Sequence, residues 1–227
     1  MHHPLDRPVW NALSTHQSGL ARGDARALRF DPDYGLFAAA ADDSADAMAA
    51  LAALVPANGV VGLVEARQGP LPAGLAVKDA ICNQMIAEHI APAEPKCAVT
   101  ALGDADAGET LALATLTQPG PFFRKTHRLG DFIGVKEDGK LVAMAGERMK
   151  PTGFTEVSRV CTHPDHRGKG YAGALMGIVA QNILMRGEIP FLHVYADNAG
   201  AIALYETLGF RFRAAMHFTL ISRSPFP

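Results

Sequence analysis

Cysteine is scarce in this chain: Cys82, Cys97 and Cys161 are the only three in 227 residues. An odd, widely spaced set supplies neither a disulfide framework nor the paired spacing of a zinc site, and no metal is expected. Tryptophan occurs once. No apolar run approaches the ~20 residues that a membrane-crossing helix needs. The start, Met1-His2-His3-Pro4, lacks the basic-then-apolar pattern of a secretory signal. Charge of either sign is also in short surplus, with a net -2 and a pI of about 6.5. Such a balance gives no electrostatic case for nucleic acid or an anionic membrane as partner. Together these absences predict a soluble, cytoplasmic protein.

A hydrophobic share of 48% supports a sizeable core. The proline-punctuated stretch Ala91-Pro92-Ala93-Glu94-Pro95-Lys96 suits neither a helix interior nor a central strand. It divides the chain into a region 1–95 and a region 96–227. In the first, Val9 to Leu20 reads as helix. Phe37 to Leu54 reads as an alanine-rich helix interrupted at Asp42-Asp43-Ser44, residues better suited to an N-cap. Gly59 to Val64 is a strand, and Asn83 to Ile86 a weaker one. The second region is sharper. Ala98 to Leu102 reads as strand and Asp104 to Thr117 as helix, stopped by Gln118-Pro119-Gly120-Pro121. Phe122 to Leu129 suggests a short second helix. Phe132 to Val135 and Leu141 to Met149 make a hairpin across Glu137-Asp138-Gly139-Lys140. Then follow a helix from Tyr171 to Met185, a strand from Pro190 to Ala196, a helix from Ala199 to Leu208 and a strand from Phe210 to Ile221. The chain is therefore expected to be mixed α/β, with a mostly antiparallel sheet flanked by helices after a smaller α/β N-terminal region.

The segment Phe154 to Ala172, FTEVSRVCTHPDHRGKGYA, carries the chemistry. A β-favouring run is stopped at Pro164-Asp165, and Arg167-Gly168-Lys169-Gly170 then opens a helix. A loop entering a helix presents unpaired N–H groups and the positive end of the helix dipole, a setting suited to phosphate or pyrophosphate. The apolar residues Tyr171, Ala174, Leu175, Ile178, Val179 and Ile183 line one face of that helix. Gly173 and Gly177 suggest close packing on a sheet. Farther on, Asp197-Asn198 caps a short helix and Gly209 fits a left-handed C-cap.

The Arg-x-x-Gly-x-Ala pattern at Arg167 to Ala172, with Asn198, Tyr205 and Leu208-Gly209-Phe210, resembles the GNAT superfamily of N-acyltransferases. The order of elements from Ala98 to Ile221 is similar too, and the chain is like two-part members in which an extra segment abuts the acyl-CoA domain. Ala172 stands where many members carry glycine. The resemblance implies acetyl-CoA as cosubstrate. It implies that Arg167, Gly168, Lys169, Gly170, Tyr171 and Ala172 hold its pyrophosphate. Main-chain groups of Val160, Cys161 and Thr162 would pair with the pantetheine arm where the sheet splays, and Asn198 would touch that arm.

Transfer to an amine needs a neutral nucleophile, although a lysine amine has a pKa near 10.4 and an α-amine near 8. Glu156, eleven residues before Arg167, is the first candidate base, with Glu147 in reserve. A strand glutamate facing solvent, or paired with Arg159 or Arg148, is the alternative for Glu156. Tyr205 is the candidate acid for the departing thiolate, by the same resemblance, and the N–H near Cys161 the oxyanion donor. His193 and Tyr195 are candidates to line the acceptor pocket. In this superfamily the stretch holding Phe122, Phe123, Arg124 and His127 often shapes it. A Cys161–His163 hydrolase lacks an orienting third group, and His163, Asp165 and His166 read as a solvated loop. The expected reaction is acetylation of a primary amine, a small molecule or an amino acid, by direct attack in a ternary complex. The rival is a non-catalytic acyl-CoA-binding regulatory module.

Overall fold

A computed structural model describes residues 3–91 and 97–226. The proline-rich break expected at 91–96 lies, from residue 92 on, outside the described residues.

The N-terminal region opens with helix α1 (Pro8–Ser14) and a small antiparallel sheet of β1 (Ala21–Asp24), β2 (Ala27–Phe30) and β3 (Ala38–Ala40). Helix α2 (Ala45–Leu54) starts at Ser44, whose hydroxyl accepts the Ala47 N–H at 3.2 Å. The serine is thus the expected cap, but the alanines before it form a strand. Strands β4 (Val60–Glu65) and β5 (Ala76–Ile86) follow. The rest of the chain contributes β6 (Thr100–Leu102), α3 (Ala107–Thr117), β7 (Phe132–Glu137), β8 (Lys140–Glu147), β9 (Phe154–Thr162), α4 (Tyr171–Met185), β10 (Ile189–Tyr195), α5 (Ala199–Thr207) and β11 (Arg211–Ser222). In place of a helix over 122–129 there is one 3-10 turn, Thr126–Arg128.

Eight strands form the main sheet in the order β4-β11-β5-β10-β9-β8-β7-β6. Each pairing is antiparallel except that of β10 with β9. The mixed α/β architecture expected from the sequence is the one observed, and strands from both sides of residue 95 share its sheet. Alternation along the strands sends side chains to two cores. Ala143, Ala145, Val157, Leu192 and Val194 meet Leu175, Met176, Val179, Ala180 and Ile183 of α4 on one face. Met144 and Cys161 meet Leu113 and Ala114 of α3 on the other. Phe191 and Met216 are covered on that second face by Leu5, Val9 and Leu13 of the N-terminal region. Each fully buried large side chain stabilises by about 1.5–3 kcal/mol. In α4 the buried stripe includes Met176 and Ala180 and leaves Ile178 at its margin. Gly173 does not touch the sheet, since a Cβ there would meet only Leu204 at 3.6 Å. No helix among the described residues is long and apolar enough to cross a membrane.

Candidate active site

Two irregularities of the sheet build the site. Strands β9 and β10 pair only from Phe154↔Ile189 to Glu156↔Phe191. Beyond that point β10 follows β5 as far as Tyr195↔Cys82, and β9 stays with β8. The sheet therefore splays. Within β9, Cys161 faces Met144 and Ser158 faces Gly146, so Ala145 alone opposes Arg159 and Val160. This is a β-bulge, and Arg159 takes its left-handed position at φ 58°. A non-glycine residue there costs about 1–2 kcal/mol, and bulges re-aim side chains beside functional sites.

A cavity of about 490 Å³ occupies the splay. Its walls include Ser158, Arg159 and Val160 of β9, His193 and Tyr195 of β10, Met176 of α4, and Asn198 and Tyr205 of the α5 turn and helix. Arg148, Phe37, Phe218 and the Gln118–Pro121 loop close its other side. A second cavity of about 580 Å³ lies beside it, over Val160–Thr162, the Arg167–Gly170 loop and the first turn of α4. Pro119 and Val160 line both, which makes them neighbouring compartments. A larger cavity of about 650 Å³ lies elsewhere, in the N-terminal region, where Arg7 and Glu65 pair with each other at 3.0 Å.

The loop has the backbone expected of it. Gly168 and Gly170 adopt φ of +79° and +81°, and Gly170 begins α4 without a side-chain cap. The first N–H groups of α4 thus keep no intrahelical partner. Arg167 is exposed. Lys169 bonds Glu137 at 2.9 Å, and Tyr171 and His166 turn to the same carboxylate. Bonds from Tyr171 and Lys169 hold Glu137 at about 2, well below the ordinary 4.5.

The two candidate bases sit behind the cavity wall, not on it. Glu156 has 0% exposure. Its carboxylate takes both an Nε bond (2.7 Å) and a second guanidinium bond from Arg148, and it bonds Nδ1 of His193 at 2.8 Å. Burial alone would raise its pKa, but the Arg148 charge and these bonds hold it down at about 2. The Arg148 pairing is therefore the alternative that the structure shows. Nε2 of His193 lies 3.1 Å from the Gln84 amide nitrogen, and Arg213 donates to the Gln84 oxygen at 2.8 Å. That network suits a His193 tautomer that donates from Nδ1 to Glu156 and accepts at Nε2 from Gln84. Glu147 is also at 0% exposure, tied to Lys150 at 2.8 Å and Arg186 at 2.5 Å, away from both cavities.

Tyr205 lines the splay cavity with its pKa raised by burial, so it is a neutral phenol. The Asn198 side chain caps α5 by accepting the Ala201 N–H at 3.2 Å. The Cys161 thiol turns toward α3, and burial raises its pKa. Phe122 packs on Phe132, Arg124 pairs with Asp33 and His127 with Asp104, so these three do not line the cavity. Sequence reasoning named Arg148 and Arg159 only as partners of Glu156 and missed them as cavity residues.

A solved GNAT-family protein from Novosphingobium aromaticivorans, assigned as an acetyltransferase, is 47% identical to this chain, with 98% of this chain and 100% of that one covered and a TM-score of 0.91. The chain belongs to the GNAT family. A family model described as FR47-like protein matches residues 132–219, the stretch from β7 into β11. More distant GNAT folds share the architecture. A GCN5-related N-acetyltransferase from Kribbella flavida is 19% identical over 95% of this chain and 96% of its own, at TM-score 0.64. A GCN5-related N-acetyltransferase-like protein from Streptococcus suis is 16% identical over 94% and 92%, at 0.61. No curated protein sequence matches the chain.

Proposed function

We propose that this GNAT protein moves an acetyl group from acetyl-CoA to a primary amine by direct attack in a ternary complex. The observation that carries this reading is the pair of adjoining cavities, one on a glycine loop at a helix N-terminus and one in the splay. An extended donor laid across both would put its pyrophosphate on Arg167, Gly168, Lys169, Gly170, Tyr171 and Ala172. Its pantetheine arm would run along Val160, Cys161 and Thr162 past Asn198, and its thioester would reach Tyr205. The amine would enter from the side of Arg148 and Phe37.

The amine nitrogen attacks the thioester carbon, and the oxyanion is met by a main-chain N–H near Cys161, a contribution of about 3 kcal/mol. The C–S bond then breaks and Tyr205 gives the thiolate its proton. The proton leaving the amine is taken up by water, since both His193 ring nitrogens are already engaged, Nδ1 with Glu156 and Nε2 with the Gln84 amide. Glu156 assists as a charge behind the ring.

The test begins with thermal unfolding with and without acetyl-CoA, followed by CoA release with a panel of amines. At 100-fold over Kd one-site binding adds about 2.7 kcal/mol, a rise of ~5–10 °C for a chain of this length. Tyr205→Phe should keep that shift and lower kcat by ~100-fold or more, the lower end of the range for a positioned acid. Full activity in Tyr205→Phe removes it as the acid. A shift without CoA release from any amine would favour the non-catalytic module. No shift at millimolar acetyl-CoA sinks the reading altogether.

A further inference from the structure

Among the described residues, the walls of the splay cavity carry two arginines and no carboxylate. Arg148 is already paired, since Glu156 binds its guanidinium in bidentate fashion. Arg159 is not. It is 5% exposed and lines the cavity. Among the described residues, its Nε has no hydrogen-bond partner and no carboxylate lies within ion-pair distance of it, Glu156 being paired with Arg148. The Cys82 thiol, with its pKa pushed up to about 11 by burial, is neutral and offers no negative charge. Among the described residues that line the cavity, taken with Glu156 behind them, the Arg159 charge is left unbalanced.

An unpaired buried cation is costly, and a fold retains one where a ligand supplies the missing charge. Burial and the neighbouring Arg148 charge lower the Arg159 pKa to about 9, which still leaves it charged at neutral pH. The bulge in β9 sets Arg159 at φ 58°. The loop above leaves room for it through Gly120, at φ +102°, where a Cβ would come within 2.8 Å of the Arg159 guanidinium.

We propose that Arg159 binds a substrate carboxylate in the splay cavity, and that the acceptor is accordingly an amine bearing a carboxylate, an amino acid or a close relative. This rests on the transferase reading above and supplies its missing substrate class. A planar guanidinium fork matches a carboxylate with two parallel hydrogen bonds, and within a water-poor cavity that match both binds and orients. Fixing the carboxylate at the bulge would hold the amine a few atoms away, beside the thioester in the same splay. A carboxylate on the acyl group is the other source of the same chemistry, and the assay below separates the two.

The experiment compares acids with their own amides. CoA release from acetyl-CoA is followed with the common L-amino acids and β-alanine, each beside its carboxamide. Succinyl-CoA with the same carboxamides forms a second arm. The expected result is at least one amino acid whose kcat/KM exceeds that of its amide by tenfold or more, mainly through KM. Arg159→Met should erase that ratio, Arg159→Lys should restore part of it, and Gly120→Ala should shrink it by displacing the guanidinium. Arg159→Met removes an unpaired buried cation, so its Tm is expected to hold or rise. Were Arg159→Met to misfold, the acid-to-amide ratio in the unaltered protein would still decide the matter. Amides used as well as acids overturn the inference and leave the transferase intact. Efficient use of succinyl-CoA with carboxamides, but not of acetyl-CoA with amino acids, overturns the acceptor assignment and keeps the Arg159 site. If no amine releases CoA, the deciding measurement is calorimetry with N-acetyl-L-alanine and its amide, each added to the CoA-loaded protein. Tighter binding of the acid supports the carboxylate site even though transfer has failed, and equal or absent binding overturns it.

Discussion

At the scale of single residues, the charge that organises the site is Glu156. It balances Arg148, which also stacks on the Phe37 ring at 4.6 Å, and it bonds Nδ1 of His193. Breaking a buried pair from one side strands the other charge, at a cost of about 3–5 kcal/mol. Glu156→Gln should therefore lower Tm as well as turnover, and the two losses are separated by assaying at a temperature where the variant is fully folded. The pH dependence carries the same signature. The Glu156 pKa is depressed on folding from an ordinary 4.5 to about 2. Its stabilisation is thus fully present above about 4.5, shrinks as pH falls below that, and is gone only below about 2, where folded and unfolded forms are protonated alike. Tm measured from pH 7 to pH 2.5 should fall in that window for the native protein. Glu137, also held at about 2, falls in the same window, so the quantity to read is the difference between the two curves. Glu156→Gln should begin lower and fall less. Parallel curves would mean that Glu156 is not held as a buried carboxylate.

Elements show which parts of the design are local. Helix α4 runs over Tyr171–Met185 as its periodicity indicates, and the β7–β8 hairpin turns at Asp138 and Gly139, both with positive φ. These features were legible because a few adjacent residues determine them. Strand β3 reads as helix because Ala38, Ala39 and Ala40 favour one, and pairing with β2 overrides that preference. Most of β5 was missed because its first half is largely exposed, with Lys78 and Asp79 between Val77 and Ile81, which blurs the alternation. The site divides likewise. Its loop half is one contiguous motif, whereas Phe37, Arg148, Arg159 and Phe218 converge from separate strands and loops, and a bulge such as that at Arg159 has no short-range signature. The loop half allows a sharp test. Gly170 at φ +81° has open space around the position of a Cβ. Gly170→Ala should cost only the left-handed backbone penalty of about 1–2 kcal/mol in stability. The acetyl-CoA Kd is expected to rise about tenfold or more, because the same backbone must aim its N–H groups at phosphate. Unchanged affinity, by calorimetry, would remove Gly170 from the donor site.

For the whole molecule, the sheet order decides what can fold alone. Among the described residues, strand β11 pairs only with β4 and β5, and β5 is also the partner of β10 along its full splayed length. Both β4 and β5 precede residue 96. A fragment of residues 96–227 would keep the glycine loop, α4 and Tyr205, yet β11 would have no strand to pair with. It would also uncover Phe191 and Met216, which the N-terminal helix and β2 side chains now bury. Losing the eleven-residue β5–β11 ladder together with that apolar cover outweighs the 5–15 kcal/mol by which a domain is typically stable. The splay would go with it, since β5 is what draws β10 away from β9. We expect the 96–227 fragment to show no cooperative thermal transition, little near-ultraviolet dichroism and no stabilisation by acetyl-CoA. Co-expression with residues 1–95 as a separate chain should restore all three. A fragment that unfolds cooperatively and binds acetyl-CoA by itself would show that the second region is self-sufficient, and would reassign the N-terminal strands to shaping the acceptor side alone.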